Sequence, residues 1–241
     1  MKNIIIYGGT SLLSIEFIKK YKNEVDKFIV ITRDKKKFDE KIILFEDKLK
    51  NKLDIYEIDL LNLKKNLEFS RSLENDSLNG LFFVIGDTGD PELEIESFEK
   101  CDLNYKVNLI HPVLIINSLL SKFKKNSYIC VFSSVAGIRG RALRLFYCSA
   151  KAGLISYLSG LRQKLYYLNI NVINVVAGYM DTDKFNYKAN KFLISKPEDV
   201  INRIYNGIKS KKEIIYSSFI WFIISIIIRL IPEKVFKKLK F

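Results

Sequence analysis

An α/β fold with a parallel sheet buried between helices is predicted by three observations. Short apolar runs recur at residues 3–7, 27–32, 80–86, 128–132 and 170–176, as expected of strands covered on both faces. The first run passes directly into Gly8-Gly9-Thr10, and apolar positions then fall at helical spacing through Ile15, Ile18 and Tyr21. The chain also has 241 residues, of which 48% are apolar. That is enough for one domain with a sizeable core.

In chain order, the strand at 3–7, the turn from Gly8 to Ser14 and the following helix make the first unit of a dinucleotide-binding fold. Backbone N–H groups and the helix N-terminus there face a pyrophosphate, with Thr10 and Ser11 able to add hydrogen bonds. The second strand, 27–32, ends at Arg33-Asp34. An acidic residue at this place holds a ribose 2′-hydroxyl, whereas an arginine accepts a 2′-phosphate. Arg33 comes first, so NADP(H) is favoured, while the adjacent Asp34 keeps NAD(H) open. Residues 55–60 are read as the third strand, 80–86 as the central fourth, 170–176 as the sixth and 214–216 as the seventh. Ser195-Lys196-Pro197-Glu198 reads as a capping box opening a helix through Ile201, Ile204 and Ile208.

The reactive groups come from residues 133–151. Tyr147 and Lys151 are four apart and share a face if helical. An ammonium beside a phenol lowers its pKa from about 10, which makes the phenol a usable proton donor. Ser134 can bond the same oxygen. The Tyr-x-x-x-Lys spacing recurs at Tyr187/Lys191 and Tyr205/Lys209, but the residues thirteen positions earlier are Asn174 and Phe192. Only Tyr147 has a serine there, at the end of the apolar run 128–132.

Other residue types narrow the classes. Cys101, Cys130 and Cys148 have no paired spacing and read as reduced thiols of a cytosolic protein. The single histidine, His111, reads as a packed or capping residue, and argues against a serine–histidine triad or a multi-histidine metal site. The net charge of +13 accompanies a composition rich in Lys, Ile and Asn. Its lysines are spread out and not interleaved with aromatics, which disfavours nucleic acid. An anionic membrane surface or a phosphorylated substrate fits the charge better.

Residues 214–228 carry no charge, yet fifteen helical residues reach only about 22 Å, short of a hydrocarbon core of roughly 30 Å. Arg229, Lys234, Lys237, Lys238 and Lys240 follow, with Trp221, Phe222 and Phe236 among the flanking residues. A helix lying in a membrane interface fits this pattern. A helix buried in a subunit contact or over the substrate pocket is the competing reading.

The order strand, serine, loop, tyrosine, lysine resembles the active site of the short-chain dehydrogenase/reductase family. The resemblance runs from Ile4 to Ile215. It implies one three-layer Rossmann domain over residues 1–217, with a doubly wound seven-stranded parallel sheet and the tail 218–241 belonging to the same domain. It also implies reversible hydride transfer between a nicotinamide and a ketone carbon. Tyr147 would give the proton, Lys151 would tune it and hold the nicotinamide ribose, Ser134 would orient the carbonyl, and Asn108 would support a proton relay to the lysine. Implied cofactor contacts are Gly8, Thr10, Ser11, Leu12, Leu13, Arg33, Asp59, Leu60, Ile85, Gly86, Tyr147, Lys151, Gly178, Met180 and Thr182. No metal is implied, and a homo-oligomer is.

The sequence departs from the family pattern in places. Leu12 and Ser14 stand at two glycine positions of Gly-x-x-x-Gly-x-Gly, and Ala177 stands for a proline. The fourth strand ends in Ile85-Gly86-Asp87-Thr88-Gly89-Asp90 instead of Asn-Asn-Ala-Gly. Residues 183–194 correspond to the family's substrate lid. The glycine turn, Arg33-Asp34, residues 86–90 and the tail are similar to a subset that reduces polyprenyl-phosphate-linked keto pentoses. That subset implies a small-molecule or lipid-linked keto substrate and a cytoplasmic location at the inner face of the membrane. A fold-retaining cofactor scaffold or sensor is the alternative, suggested by the lost glycines and opposed by the complete Ser134/Tyr147/Lys151 set.

Overall fold

The computed structural model describes residues 1–89, 97–182 and 190–239. Its strands are β1 Asn3–Tyr7, β2 Lys27–Thr32, β3 Leu53–Glu57, β4 Leu78–Phe83, β5 Phe123–Ser134, β6 Asn171–Ala177, β7 Tyr179–Met180, β8 Ile194–Ser195 and β9 Ile214–Tyr216. The helices are α1 Leu12–Tyr21, α2 Lys35–Lys41, α3 Asp47–Lys50, α4 Leu63–Ser72, α5 Phe98–Tyr105, α6 His111–Ser118, α7 Leu145–Leu165, α8 Pro197–Lys209, α9 Phe219–Leu230 and α10 Glu233–Phe236. A π turn, Lys106–Ile110, joins α5 to α6.

Seven strands form one sheet in the order β3-β2-β1-β4-β5-β6-β9, and every pairing in it is parallel. The order reverses between β1 and β4, so a crevice opens at their carboxyl ends, the usual ligand position in such sheets. Alternate residues of each strand face opposite layers. Ile4, Ile6, Phe82, Phe132 and Val175 pack against Phe17 and Ile18 of α1 and Ile201 and Ile204 of α8. Ile5, Tyr7, Leu81, Val131 and Val172 pack against Ile115 and Ile116 of α6 and Leu154 and Leu158 of α7.

Two expected strand ends fall earlier in the chain. β4 ends at Phe83, so Ile85 and Gly86 lie beyond the sheet. Its partner β1 stops at Tyr7 because Gly8 turns away at φ +94°, a conformation natural to glycine, and Val84 N–H to the Tyr7 carbonyl at 3.0 Å is the last bond on that side. β3 ends at Glu57, placing Asp59 and Leu60 in a turn where the Asp59 carboxylate accepts from Leu61 N–H at 2.8 Å. The expected capping box does not form. Lys196 is the N-cap of α8 without a side-chain cap bond, and Ser195 is paired within β8 with its buried hydroxyl unpartnered. Pro197, which has no N–H to satisfy, and the acidic Glu198 and Asp199 open that helix instead.

Candidate active site

Tyr147 and Lys151 head a stripe on α7 that continues through Leu154, Leu158, Leu161 and Leu165, each of these four leucines buried. The 3.6-residue period therefore anchors the helix by its apolar end and carries the polar pair to the carboxyl edge of the sheet. Ser134 ends β5 and caps the short turn Val135–Gly137, its Oγ accepting from Ala136 N–H at 3.1 Å and donating to the Ala177 carbonyl at 3.2 Å. Gly137 presses that turn onto α7, since a Cβ there would lie 2.6 Å from the backbone carbon of Lys151. The serine is thereby brought within hydrogen-bond reach of the Tyr147 phenol.

The Lys151 ammonium is buried and donates to the Phe132 carbonyl at 3.3 Å. Gly86 lies over it, with a Cβ position 3.1 Å from Nζ and 3.3 Å from Asn108 Oδ1. Asn108 is fully buried in the π turn, a helix irregularity common at functional sites. Its amide nitrogen donates to the carbonyl of Asp87 at 2.7 Å and to Asn104 Oδ1 at 3.1 Å, and its Oδ1 accepts from Asp87 N–H at 3.1 Å. Asn108 thus pins the segment after β4 beside Lys151.

The expected electrostatics of the pair are reversed. Burial raises the Tyr147 phenol, against which the Ser134 hydroxyl and the charges of Arg141 and Arg144 pull downward. Lys151 is itself pulled down to about 8 by burial. Its Nζ stands 5.9 Å from the Tyr147 ring centroid and packs against Gly86. The sequence reading does not include Arg141, Arg144 or Asn104 among the site residues, and Trp221 stands out there only as an aromatic residue of the tail. The run Arg139-Gly140-Arg141-Ala142-Leu143-Arg144 between the serine and the tyrosine was a visible signal for the first two.

The glycine turn fits a dinucleotide despite its two replaced glycines. Ser14 is buried and its hydroxyl donates to the Gly8 carbonyl at 2.8 Å, knitting the turn to α1. Ser11 caps α1 through Leu13 N–H. The amides of Thr10 and Leu12 make no hydrogen bond among the described residues, which leaves donors at a helix N-terminus for phosphate oxygens. Arg33 is exposed after β2, whereas the Asp34 carboxylate is committed to capping α2 through Lys37 N–H at 2.8 Å. Arg33 makes no capping bond of this kind, so its guanidinium is the less committed of the two groups. Leu60 is buried, and its carbonyl is bonded by the packed His111 at 3.0 Å.

The Gly178 N–H donates to Ser217 Oγ at 3.0 Å. The Trp221 ring lies where a side chain at 178 would begin, 2.0 Å from the Cβ position. Met180 pairs with Ser195 across β7 and β8, and Thr182 is half-buried at the end of the described segment. Of the expected lid, residues 183–189 lie outside the described residues, as does Tyr187 of the second Tyr-x-x-x-Lys pair. The third pair, Tyr205/Lys209, is engaged with Glu24 near Lys2, at the amino ends of the strands and away from the crevice. No disulfide joins the three cysteines, and no metal-binding cluster occurs among the described residues.

A family model for short chain dehydrogenases matches residues 2–191. The 3-oxoacyl-[acyl-carrier-protein] reductase FabG of Rickettsia felis is 32% identical over 169 residues, covering 63% of this chain and 68% of that protein. Estradiol 17-beta-dehydrogenase 11 of Macaca fascicularis is 25% identical over 147 residues, with coverage of 58% and 49%. Among solved structures, a short chain dehydrogenase from Burkholderia cenocepacia in complex with NADP superposes with a TM-score of 0.78 at 15% identity, over 96% of this chain and 100% of that one. BdcA in complex with NADPH gives 0.71 at 16% identity, over 90% and 94%. The structural likenesses establish the shared fold, and the sequence match establishes descent. With its serine, tyrosine and lysine gathered at the carboxyl edge of the sheet, the chain belongs to the short-chain dehydrogenase/reductase family of oxidoreductases acting on CH–OH groups.

Proposed function

We propose that the protein is an NADPH-dependent ketone reductase. The observation that carries this reading is the convergence of Ser134, Tyr147 and Lys151 beside the β1/β4 crevice. When bound, the cofactor supplies a hydride to the ketone carbon. Ser134 orients the carbonyl, and Tyr147 passes its phenolic proton to the oxygen as negative charge develops there. The raised phenol stays protonated at neutral pH, which suits reduction. Lys151 holds ribose hydroxyls with the N–H groups that Phe132 does not use, while Asn108 fixes the backbone through which protons reach it. Gly8, Thr10, Ser11, Leu12 and Leu13 cradle the pyrophosphate. Asp59, Leu60, Ile85 and Gly86 border the adenosine and ribose, and Gly178, Met180 and Thr182 border the nicotinamide.

Arg33 is assigned to the 2′-phosphate, a contact worth about 1.5–3 kcal/mol as a charge-assisted bond. Fluorescence titration is expected to show tighter binding of NADPH than NADH, with most of the difference erased in Arg33→Ala. Equal affinities in the unaltered protein would remove the assignment. The relatives' names point to 3-oxoacyl groups on a carrier protein, and the reducible ketone is the element shared with a keto sugar.

Within that activity, we infer that residues 218–241 hold the enzyme at an anionic membrane surface, as a part of the one domain, to meet a lipid-linked keto sugar. Phe219, Phe222, Ile223, Ile226, Ile227 and Leu230 of α9 are exposed, and Arg229, Lys234, Lys237 and Lys238 follow on the same segment. No helix among the described residues is long and apolar enough to cross a membrane, so attachment would be interfacial. Four such apolar side chains at about 1.5–3 kcal/mol each, with roughly 1 kcal/mol per lysine near anionic lipid, support micromolar-class binding. Co-sedimentation with phosphatidylglycerol-containing liposomes should require residues 218–241 and weaken with salt. If the protein stays in the supernatant and tail deletion instead breaks a stable homo-oligomer, the exposed face is a subunit contact.

A further inference from the structure

Between the Ser134 turn and α7 the chain carries three arginines with different fates. Arg139 turns to the tail, donating to the carbonyls of Ile228, at 2.9 Å, and Ile231. Arg144 reaches the segment after β4, its Nη1 donating to the carbonyls of Thr88 at 2.9 Å and Gly89 at 2.6 Å. Arg141 is half-buried, its Nε is closed off from water, and that donor finds no hydrogen-bond partner. No carboxylate among the described residues pairs with it.

A guanidinium partly withdrawn from water with an unmet donor is costly, and such a cost persists where a ligand relieves it. The planar fork of arginine matches carboxylate and phosphate oxygens. Arg141 also lies close enough to act on the Tyr147 phenol, so its charge is felt where the ketone oxygen must sit. Arg144, anchored to the segment after β4, adds positive potential at the Tyr147 phenol. The Nη groups of Arg141 make no hydrogen bond among the described residues, which leaves the outer end of its guanidinium open in the loop between the Ser134 turn and α7.

We propose that Arg141 is the anion-binding group of the substrate pocket, and that the substrate is a ketone bearing a carboxylate or phosphate a few bonds from the reacting carbon. This assignment rests on the ketone-reductase reading of the site. It narrows the substrate class to charged ketones and explains why the reactive end carries arginines as well as the lysine. As Tyr147 transfers its proton to the substrate oxygen, the same positive field stabilises the phenolate left behind.

The test uses calorimetry on NADPH-saturated protein carrying Tyr147→Phe, so that binding is read without turnover. The probes are two matched pairs, acetoacetate with ethyl acetoacetate, and dihydroxyacetone phosphate with dihydroxyacetone. At least one charged ketone is expected to bind tenfold or more tightly than its neutral partner, and the pair that discriminates identifies the anion as carboxylate or phosphate. Arg141→Gln should erase that discrimination, and Arg141→Lys should retain part of it. Equal binding within both pairs, or discrimination that survives Arg141→Gln, overturns the assignment. Should Arg141→Gln fail to fold, full discrimination in Arg141→Lys refutes a role for the fork. Failure of the reductase reading would look different: none of the four ketones would oxidise NADPH with the unaltered protein, although the charged member of a pair still bound.

Discussion

Tyr147→Phe is expected to lower ketone reduction by about 10²–10⁴-fold, the usual worth of a positioned proton donor, while NADPH binding stays within a few-fold of the parent. The ring remains to fill its place, and only the hydroxyl beside Ser134 is lost. Tyr205→Phe should keep the chemical step, because that phenol serves the Glu24 cluster at the opposite ends of the strands. Stopped-flow measurement of NADPH oxidation separates the chemical step from cofactor release, and turnover at the parent rate in Tyr147→Phe would sink the mechanism.

The pH dependence follows from Lys151. Burial lowers its pKa from 10.5 to about 8, so the free protein loses this charge as pH rises through about 8. NADPH affinity should weaken above that pH, and the trend should be absent in Lys151→Met. For stability the unfolded chain holds the proton more tightly than the native one. Native stability relative to Lys151→Met therefore rises between pH about 8 and about 10.5. At roughly 1.4 kcal/mol per pH unit, the buried charge costs about 3 kcal/mol below that window. A melting temperature that does not climb relative to the variant over this range would contradict the assignment.

The second large effect is expected at Trp221. Its ring is buried against Gly178 and stacked edge-on with Tyr179, and its indole N–H donates to the Leu193 carbonyl at 2.9 Å. Trp221→Ala removes that payload at about 3–5 kcal/mol, the usual range for an aromatic in a core. Because α9 is a peripheral element, the loss is expected as local release of the tail ahead of global unfolding. At the far end Arg139 bonds the last carbonyls of α9, lies 3.8 Å from the Phe236 ring centroid and pairs with the exposed Glu233 at 2.6 Å. Arg139→Ala should therefore loosen the same segment more mildly. Limited proteolysis after residue 218 should quicken strongly in the first variant and modestly in the second. Protection equal to the parent in Trp221→Ala would show that the ring does not hold the tail. Release should also raise the KM for substrate, since Trp221 braces the Gly178 turn at the reactive end of the crevice.

Much of this molecule was legible in the chain itself. Buried parallel strands leave uninterrupted apolar runs, and β2 and β9 occur where those runs stand. The stripe from Tyr147 through Lys151 to Leu165 is a local consequence of helical period, so sequence spacing alone placed the tyrosine and lysine on one face. The serine could be added because it ends an apolar run, and a strand end in a parallel sheet opens onto the crevice. Strand ends were less legible. β4 stops where β1 does, and that limit is imposed by a neighbour 76 residues away in sequence, at Tyr7 paired with Phe83.

Tertiary structure alone decided the electrostatics and the tail. Adjacent residues in sequence suggested an ammonium acting on a phenol, but burial dominates both groups, and burial is a property of everything packed around them. The lysine therefore loses part of its own charge, and the downward pull on Tyr147 comes from Ser134, Arg141 and Arg144. The sequence favoured Arg33 and kept Asp34 open, and the structure draws the Asp34 carboxylate into capping α2. The tail's composition allowed a membrane face, a subunit contact or a covered pocket; in the structure α9 buries Trp221 and Ser225 and leaves Ile223, Ile226 and Ile227 exposed. Ser225 and Arg229 lie four apart on one face of α9, which the apolar pattern alone would turn outward, yet Ser225 is buried beside Trp221. Only contact with Gly178, Leu193 and Arg139, brought together by the fold from distant segments, settles its orientation.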